Sequence, residues 1–351
     1  ATAFENQPDE YTLTESRKRE VLNRIFAARR AGLPEGRLVR LWPRIAAGIA
    51  AVITIAVCSF YMLKGRSAGS AQQPPVPVAA ADIAPGKVGA TLTLADGKKI
   101  SLRETANGTI AKEGGIQILK TKDGQLVYEI KKNAPHAQLL NTLSTAPGET
   151  YCVVLPDQSK VWMNAASAIT YTTTLLEKGL RKVKLKGEAY FEVAKDPAHP
   201  FIVETGAQLV EVLGTHFNIN AYDDEEKTKT TLLEGSVKVT GRESSATIKP
   251  GEQAALAGSG AISVKAVQTG DVVAWKNGFF SFDNENLEAV MRKIARWYNV
   301  KVEYDDPSVK QETFYGSVSR FENISKVLKS LERTGVVIFQ LNGNVVSVKK
   351  K

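Results

Sequence analysis

The hydrophobic positions along this chain change their period four times, and each change marks a boundary. From Thr12 to Arg30 the spacing is helical: Val21, Leu22, Ile25 and Phe26 share one face, and Thr12 with Glu15 forms a capping box at the start. Ile45 to Leu63 then runs for nineteen residues without a charge. As a helix that run is roughly 28 Å long, close to a hydrocarbon core of about 30 Å, and it predicts one transmembrane helix. The small residues and prolines of Gly65–Ala81 predict a flexible linker, with its bounds at 64–82.

Period-2 alternation takes over from about residue 83 to 267, in short runs such as Leu92-Thr93-Leu94 and Val183-Lys184-Leu185-Lys186. Asp96-Gly97 and Asp123-Gly124 mark turns between such runs. This predicts an all-β domain, a sandwich or roll of short strands. Leu94–Leu102 and Leu155–Met163 share one pattern, apolar-x-Asp-x-x-Lys-apolar-x-apolar, and predict two hairpins of one construction. Over 272–351 strands and helices alternate. Asp283 or Asn284 is expected to cap a first helix carrying Leu287, Val290, Met291 and Ile294. A second helix from Asn323 carries Ile324, Val327, Leu328 and Leu331 at a constant offset of 37, with Gly335 as its C′ residue and a hairpin turned at Asn342-Gly343. The expected fold class is therefore a single transmembrane helix, an all-β domain and a small α+β module of two βαβ-like halves.

Charge fixes the orientation. Arg30, Arg37, Arg40 and Arg44 precede the apolar run; only Lys64 and Arg66 follow it before Lys87. The positive-inside bias predicts residues 1–44 as a cytoplasmic helical segment and everything after the span as exported. The apolar stripe of 1–44 has no second helix to bury it and needs a partner. Because the chain opens at Ala1 rather than Met, that segment is expected to be the end of a longer region. The net charge of +9 over 351 residues is spread out and gives no nucleic-acid signature.

Catalytic chemistry is not in evidence. Of the two cysteines, Cys58 lies inside the expected membrane segment and Cys152 outside it, so they cannot pair. His136, His199 and His216 stand far apart, whereas zinc needs clustered ligands. The acidic run Asp223–Glu226 lacks calcium-loop spacing and reads as a solvated turn. No nucleophile elbow, phosphate loop or zinc helix motif occurs. No enzyme activity, metal or cofactor is expected.

Leu155–Tyr171, Lys186–Thr205, Val210–Tyr222 and Leu232–Val239 together resemble the FecR family of transmembrane anti-sigma regulators, and the ending from Ala274 to Tyr304 resembles the version with a secretin/TonB short N-terminal-like module. The resemblance implies an extracytoplasmic-function sigma factor held by the cytoplasmic segment, on the side of Val21, Leu22, Ile25 and Phe26. It also implies an inner-membrane protein with periplasmic domains, and signalling by intramembrane proteolysis. The periplasmic partner it implies is the signalling domain of a TonB-dependent outer-membrane transporter. For that contact the expected surface is the strand edge with Thr313, Phe314, Tyr315 and Val318, or the faces of the two helices. The alternative reading is an envelope-anchored glycan- or wall-binding module using Trp162, Tyr171, Tyr190 and Tyr222 as an aromatic platform.

Overall fold

The computed structural model describes residues 82–130 and 138–351. The expected membrane helix, the linker before Asp82, the stripe at Val21–Phe26 and His136 lie outside the described residues. Among the described residues no helix is long and apolar enough to cross a membrane.

Residues 87–266 form two antiparallel-rich sheets that share one strand, Leu180–Glu192. Its first half pairs with Ala168–Glu177 and, in parallel, with Phe201–Glu204. Its second half leaves that sheet and pairs with His216–Ala221 and Lys160–Met163. The bend sits at Gly187, where φ is +82° and a Cβ would come within 2.5 Å of Ser167 Oγ. Only glycine meets both conditions cheaply, which is why the strand can change sheets there.

Alternation places the core between the sheets. In Ala168–Glu177 every second residue from Ile169 to Leu175 is buried. Phe191 stacks on Phe217 with ring centroids 5.0 Å apart, and Phe201 meets Phe191 edge-on at 6.3 Å. The buried hydroxyls of Tyr128 and Tyr171 bond to each other at 2.8 Å, so neither is left unsatisfied. The two look-alike hairpins are built alike: Lys98 N and Ser159 N each donate to the aspartate two residues earlier, Asp96 and Asp157. Gly97 in one and Gln158 in the other take the positive φ.

The C-terminal module differs in detail from two βαβ halves. Phe279–Asn286 pairs antiparallel with Thr313–Ser319 in one small sheet; Lys301–Tyr304, Val345–Lys350 and Val337–Asn342 form another, in that order. The strands entering the two helices thus pair with each other, and the strands leaving them pair separately. Helix α1 spans Leu287–Tyr298 and α2 spans Ile324–Glu332, and the apolar stripes expected of both are buried. The cap of α1 is Asn286, which accepts from Ala289 N at 2.9 Å, rather than Asp283 or Asn284. A bulge between Phe282 and Glu285, with Asn284 at φ +49°, carries the strand three residues further than the Asp-Asn signal suggests. At the end of α2 the cap is Arg333, so Gly335, at φ +82°, falls beyond the C′ position.

The side chain of Asn323 does not cap the start of α2. Instead Asp82, 243 residues away, accepts from Ser325 N at 3.2 Å and Ser325 Oγ at 2.6 Å, and Ile83 O accepts from Ile324 N. The first described residues therefore cap the last helix. From there the chain passes Gly86, where a Cβ would stand 2.6 Å from Gly148 O and 2.7 Å from the Trp297 ring, and joins the β-domain by pairing with Glu149–Val154.

Truncating Phe217 to Ala removes the ring stacked on Phe191 in the second half of the bent strand. Phe217→Ala is expected to cost about 3–5 kcal/mol, measured by urea denaturation followed by tryptophan fluorescence.

Candidate interaction site

Two features of the molecule carry functional potential: an open strand edge and the junction between the β-domain and the C-terminal module.

The edge belongs to Thr313–Ser319. It pairs with Phe279–Asn286 on one side, and among the described residues no strand pairs with its other side. Alternation sends Phe314 into the module core, where it is 3% exposed, and packs half-buried Val318 against that core. Thr313, Tyr315 and Ser317 point outward, and Tyr315 is 86% exposed. Of the four residues expected to meet a partner, then, Thr313 and Tyr315 are on the surface, whereas Phe314 holds the strand in place. A large exposed aromatic on an unpaired edge offers backbone groups and an anchor side chain together.

The junction is built on Glu188, the residue after the Gly187 bend. It belongs to the outward face of its strand, yet it is only 8% exposed, because the segment Thr269–Phe282 covers that face. Its carboxylate accepts from Asn164 Nδ2 at 2.7 Å and Asn218 Nδ2 at 3.0 Å. Each amide then reaches across to the module: Asn164 Oδ1 accepts from Arg320 Nη2 at 2.9 Å, and Asn218 Oδ1 accepts from Trp275 Nε1 at 3.3 Å. Arg320 is 3% exposed and lies 3.9 Å over the Trp297 ring, while its Nη1 donates to Trp275 O. Burial pulls its guanidinium down to about 10, against the opposing pull of Glu188; it is still charged at neutral pH.

A second set of contacts clamps α1. Arg296 donates from Nη2 to Glu225 Oε1 at 2.6 Å and from Nη1 to both oxygens of Asp224 at 2.9 Å. Arg292 Nη2 donates to Glu225 Oε2 at 2.9 Å. Arg296 also lies 4.0 Å over the Tyr222 ring, whose buried hydroxyl donates to Ala165 O. The acidic run is thus not a solvated turn: Asp224 and Glu225 hold the helix of the neighbouring module. Burial opposes ionisation of Glu225, but the two arginines outweigh it and hold its carboxyl below the usual range.

The supposed aromatic platform is not exposed. Tyr171 is 1% exposed and Tyr222 8%, and Lys276 Nζ sits 4.4 Å over Trp162 and 4.6 Å over Tyr190. His199 and His216 each face a single carboxylate, Asp196 and Glu234, at the surface. Among the described residues no group of three or more His, Cys, Asp or Glu side chains is placed to hold a metal, and Cys152 is a free thiol. The junction residues Asn164, Glu188 and Asn218 fall in the stretches that carry the family resemblance, but neither they nor Arg320 were singled out; the one local signal was polar residues in strands with a strong period-2 pattern.

Comparison with known proteins places two family models on the chain. The FecR protein model matches residues 141–238, and the FecR C-terminal model matches residues 279–348. Two crystal structures of a candidate anti-sigma factor from Parabacteroides distasonis ATCC 8503, at 1.65 and 2.50 Å, are similar at 29% identity and TM-score 0.57. The match covers 60% of this chain and 99% of theirs. No curated protein matches the chain.

Replacing Glu225 by Gln removes the anion that Arg292 and Arg296 share, leaving Arg296 with Asp224 and Arg292 with Glu288, and is expected to cost about 2 kcal/mol at neutral pH. Because its folded pKa is depressed, the carboxylate's contribution is full above its ordinary value of 4.5 and fades as pH falls through the folded value. Urea midpoints of wild type and Glu225→Gln, measured from pH 7 downward, are expected to draw together once the pH falls below 4.5 and through the depressed folded value.

Proposed function

This chain belongs to the FecR family, and from that membership we infer that it regulates a sigma factor by binding it. The observation that carries the reading is the pair of FecR domains in one chain, together with its likeness to a candidate anti-sigma factor along 99% of that structure. The protein works by contact and not by catalysis.

The fuller reading has three parts. Residues 1–44 bind an extracytoplasmic-function sigma factor through Val21, Leu22, Ile25 and Phe26, because an apolar stripe without an internal partner must be covered by another chain. Residues 45–63 cross the inner membrane once, which places residues 83–351 in the periplasm. There the open edge at Thr313–Ser319 receives the signalling domain of a TonB-dependent transporter by strand addition, with Tyr315 as the anchor. Proteolysis within the membrane then releases the cytoplasmic piece.

The two contacts are separable by mutation. Ile25→Asp in the full chain is expected to abolish co-purification of the sigma factor while leaving transporter-domain binding intact. Tyr315→Glu is expected to do the reverse, weakening the transporter domain at least tenfold, or about 1.4 kcal/mol, without changing the melting temperature of the exported region. A full chain that captures no sigma factor from cells expressing those of its own genome sinks the reading.

A further inference from the structure

Between the β-domain and the C-terminal module lies a cavity of about 130 Å³. On the scale by which one water needs about 10–15 Å³, that is room for roughly ten waters, comparable to the about twelve non-hydrogen atoms of a hexopyranose. One wall is sheet: Asn164, Glu188, Asn218, Asn220, Thr231 and Gln253 line it. The other wall is aromatic, made by Trp275, Phe279 and Phe280 from the module. Polar groups convergent on one side and flat apolar rings on the other are the ordinary make-up of a ligand site.

The chemistry of that wall selects a ligand class. Glu188 is more than nine-tenths buried, and its two oxygens accept only from the amides of Asn164 and Asn218. A carboxylate has about four acceptor sites, so about half of its capacity is unused and calls for donors. Asn220 keeps its Oδ1 buried without a donor, and Arg320, on the same cavity, keeps its Nε buried without an acceptor. Unused acceptors and an unused donor around one small space suit a group that is both, which is a hydroxyl. Of the ionised groups on the wall, Glu225 pairs with Arg296 at 2.6 Å and Glu285 with Lys293 at 2.5 Å. A ligand of either charge would also meet its like there, Glu188 and Asp271 for an anion, Lys229 and Arg320 for a cation. Exposed Phe279, at 47%, offers a ring face to an entering molecule.

We propose that this cavity binds a small neutral polyhydroxylated ligand of monosaccharide size. Its hydroxyls bond to Glu188 and Asn220, and one face of its ring lies against the aromatic wall. The site touches both modules, so occupancy braces the junction. It is distinct from the open edge at Thr313–Ser319, and it stands whether or not the sigma-factor reading holds.

The test is calorimetric titration of the full chain, in a detergent without a sugar headgroup, with glucose, galactose, mannose and N-acetylglucosamine. Serine serves as a zwitterionic control of small size. At least one sugar is expected to bind with Kd below about 1 mM and to raise the melting temperature. Asn220→Leu is expected to weaken it at least tenfold. Phe279→Ala, which truncates an exposed ring and spares the fold, is expected to weaken it several-fold at an unchanged melting temperature without ligand. The proposal is overturned if none of the four sugars gives heat at about 20 mM, as a cavity holding only water would behave. It is also overturned if serine binds in their place, or if the folded Phe279→Ala protein binds as tightly as wild type.

Discussion

One buried carboxylate ties the β-domain to the C-terminal module. Glu188 sits on the outward face of the strand that both sheets share, and it is out of water only because another module covers it. A charge in that position is costly unless its hydrogen bonds are satisfied. Asn164 and Asn218 meet that demand, and the same two amides receive Arg320 and Trp275 from the module. The bend at Gly187 puts Glu188 in place, so a backbone requirement and an electrostatic one converge on adjacent residues. Separating the modules would expose this network to water and take Asn164 away from Arg320 and Asn218 away from Trp275.

The junction is polar at its centre and ionic at its rim. Arg292 and Arg296 present the same face of α1 to Asp224 and Glu225, four residues apart and therefore one helical turn. An interface of this kind specifies one docking geometry, because a bidentate guanidinium–carboxylate pair tolerates little rotation. Apolar packing across it is slight: the two hydrophobic clusters stay separate, and Ala165 is the β-domain residue that joins the module's cluster.

Local periodicity was enough to read the β-runs, the two matched hairpins and both module helices, since each depends on residues within a dozen positions of one another. It failed where partners are distant in sequence. The start of α1 moved because a bulge at Asp283-Asn284 mimics a cap signal. The acidic run at Asp223 looked like solvent-facing charge because its arginines lie about seventy positions on, as in Arg296 with Asp224. Phe314 read as a contact residue, but strand alternation turns it inward and leaves Tyr315 outside. Nothing short-range announces that Glu188, Asn164 and Asn218 are covered, and so the junction and its cavity were invisible before the fold was in hand.

Asp82 gives the molecule a particular mechanical wiring. The point where the polypeptide enters the folded body is hooked, through Ser325 and the Ile83–Ile324 backbone bond, to a helix encoded 243 residues later. Tension applied along the leading segment is therefore delivered first to the N-terminus of α2, and only then through Gly86 to the sheets. The first and last parts of the described sequence share one latch, so tugging at Asp82 pulls directly on the last helix.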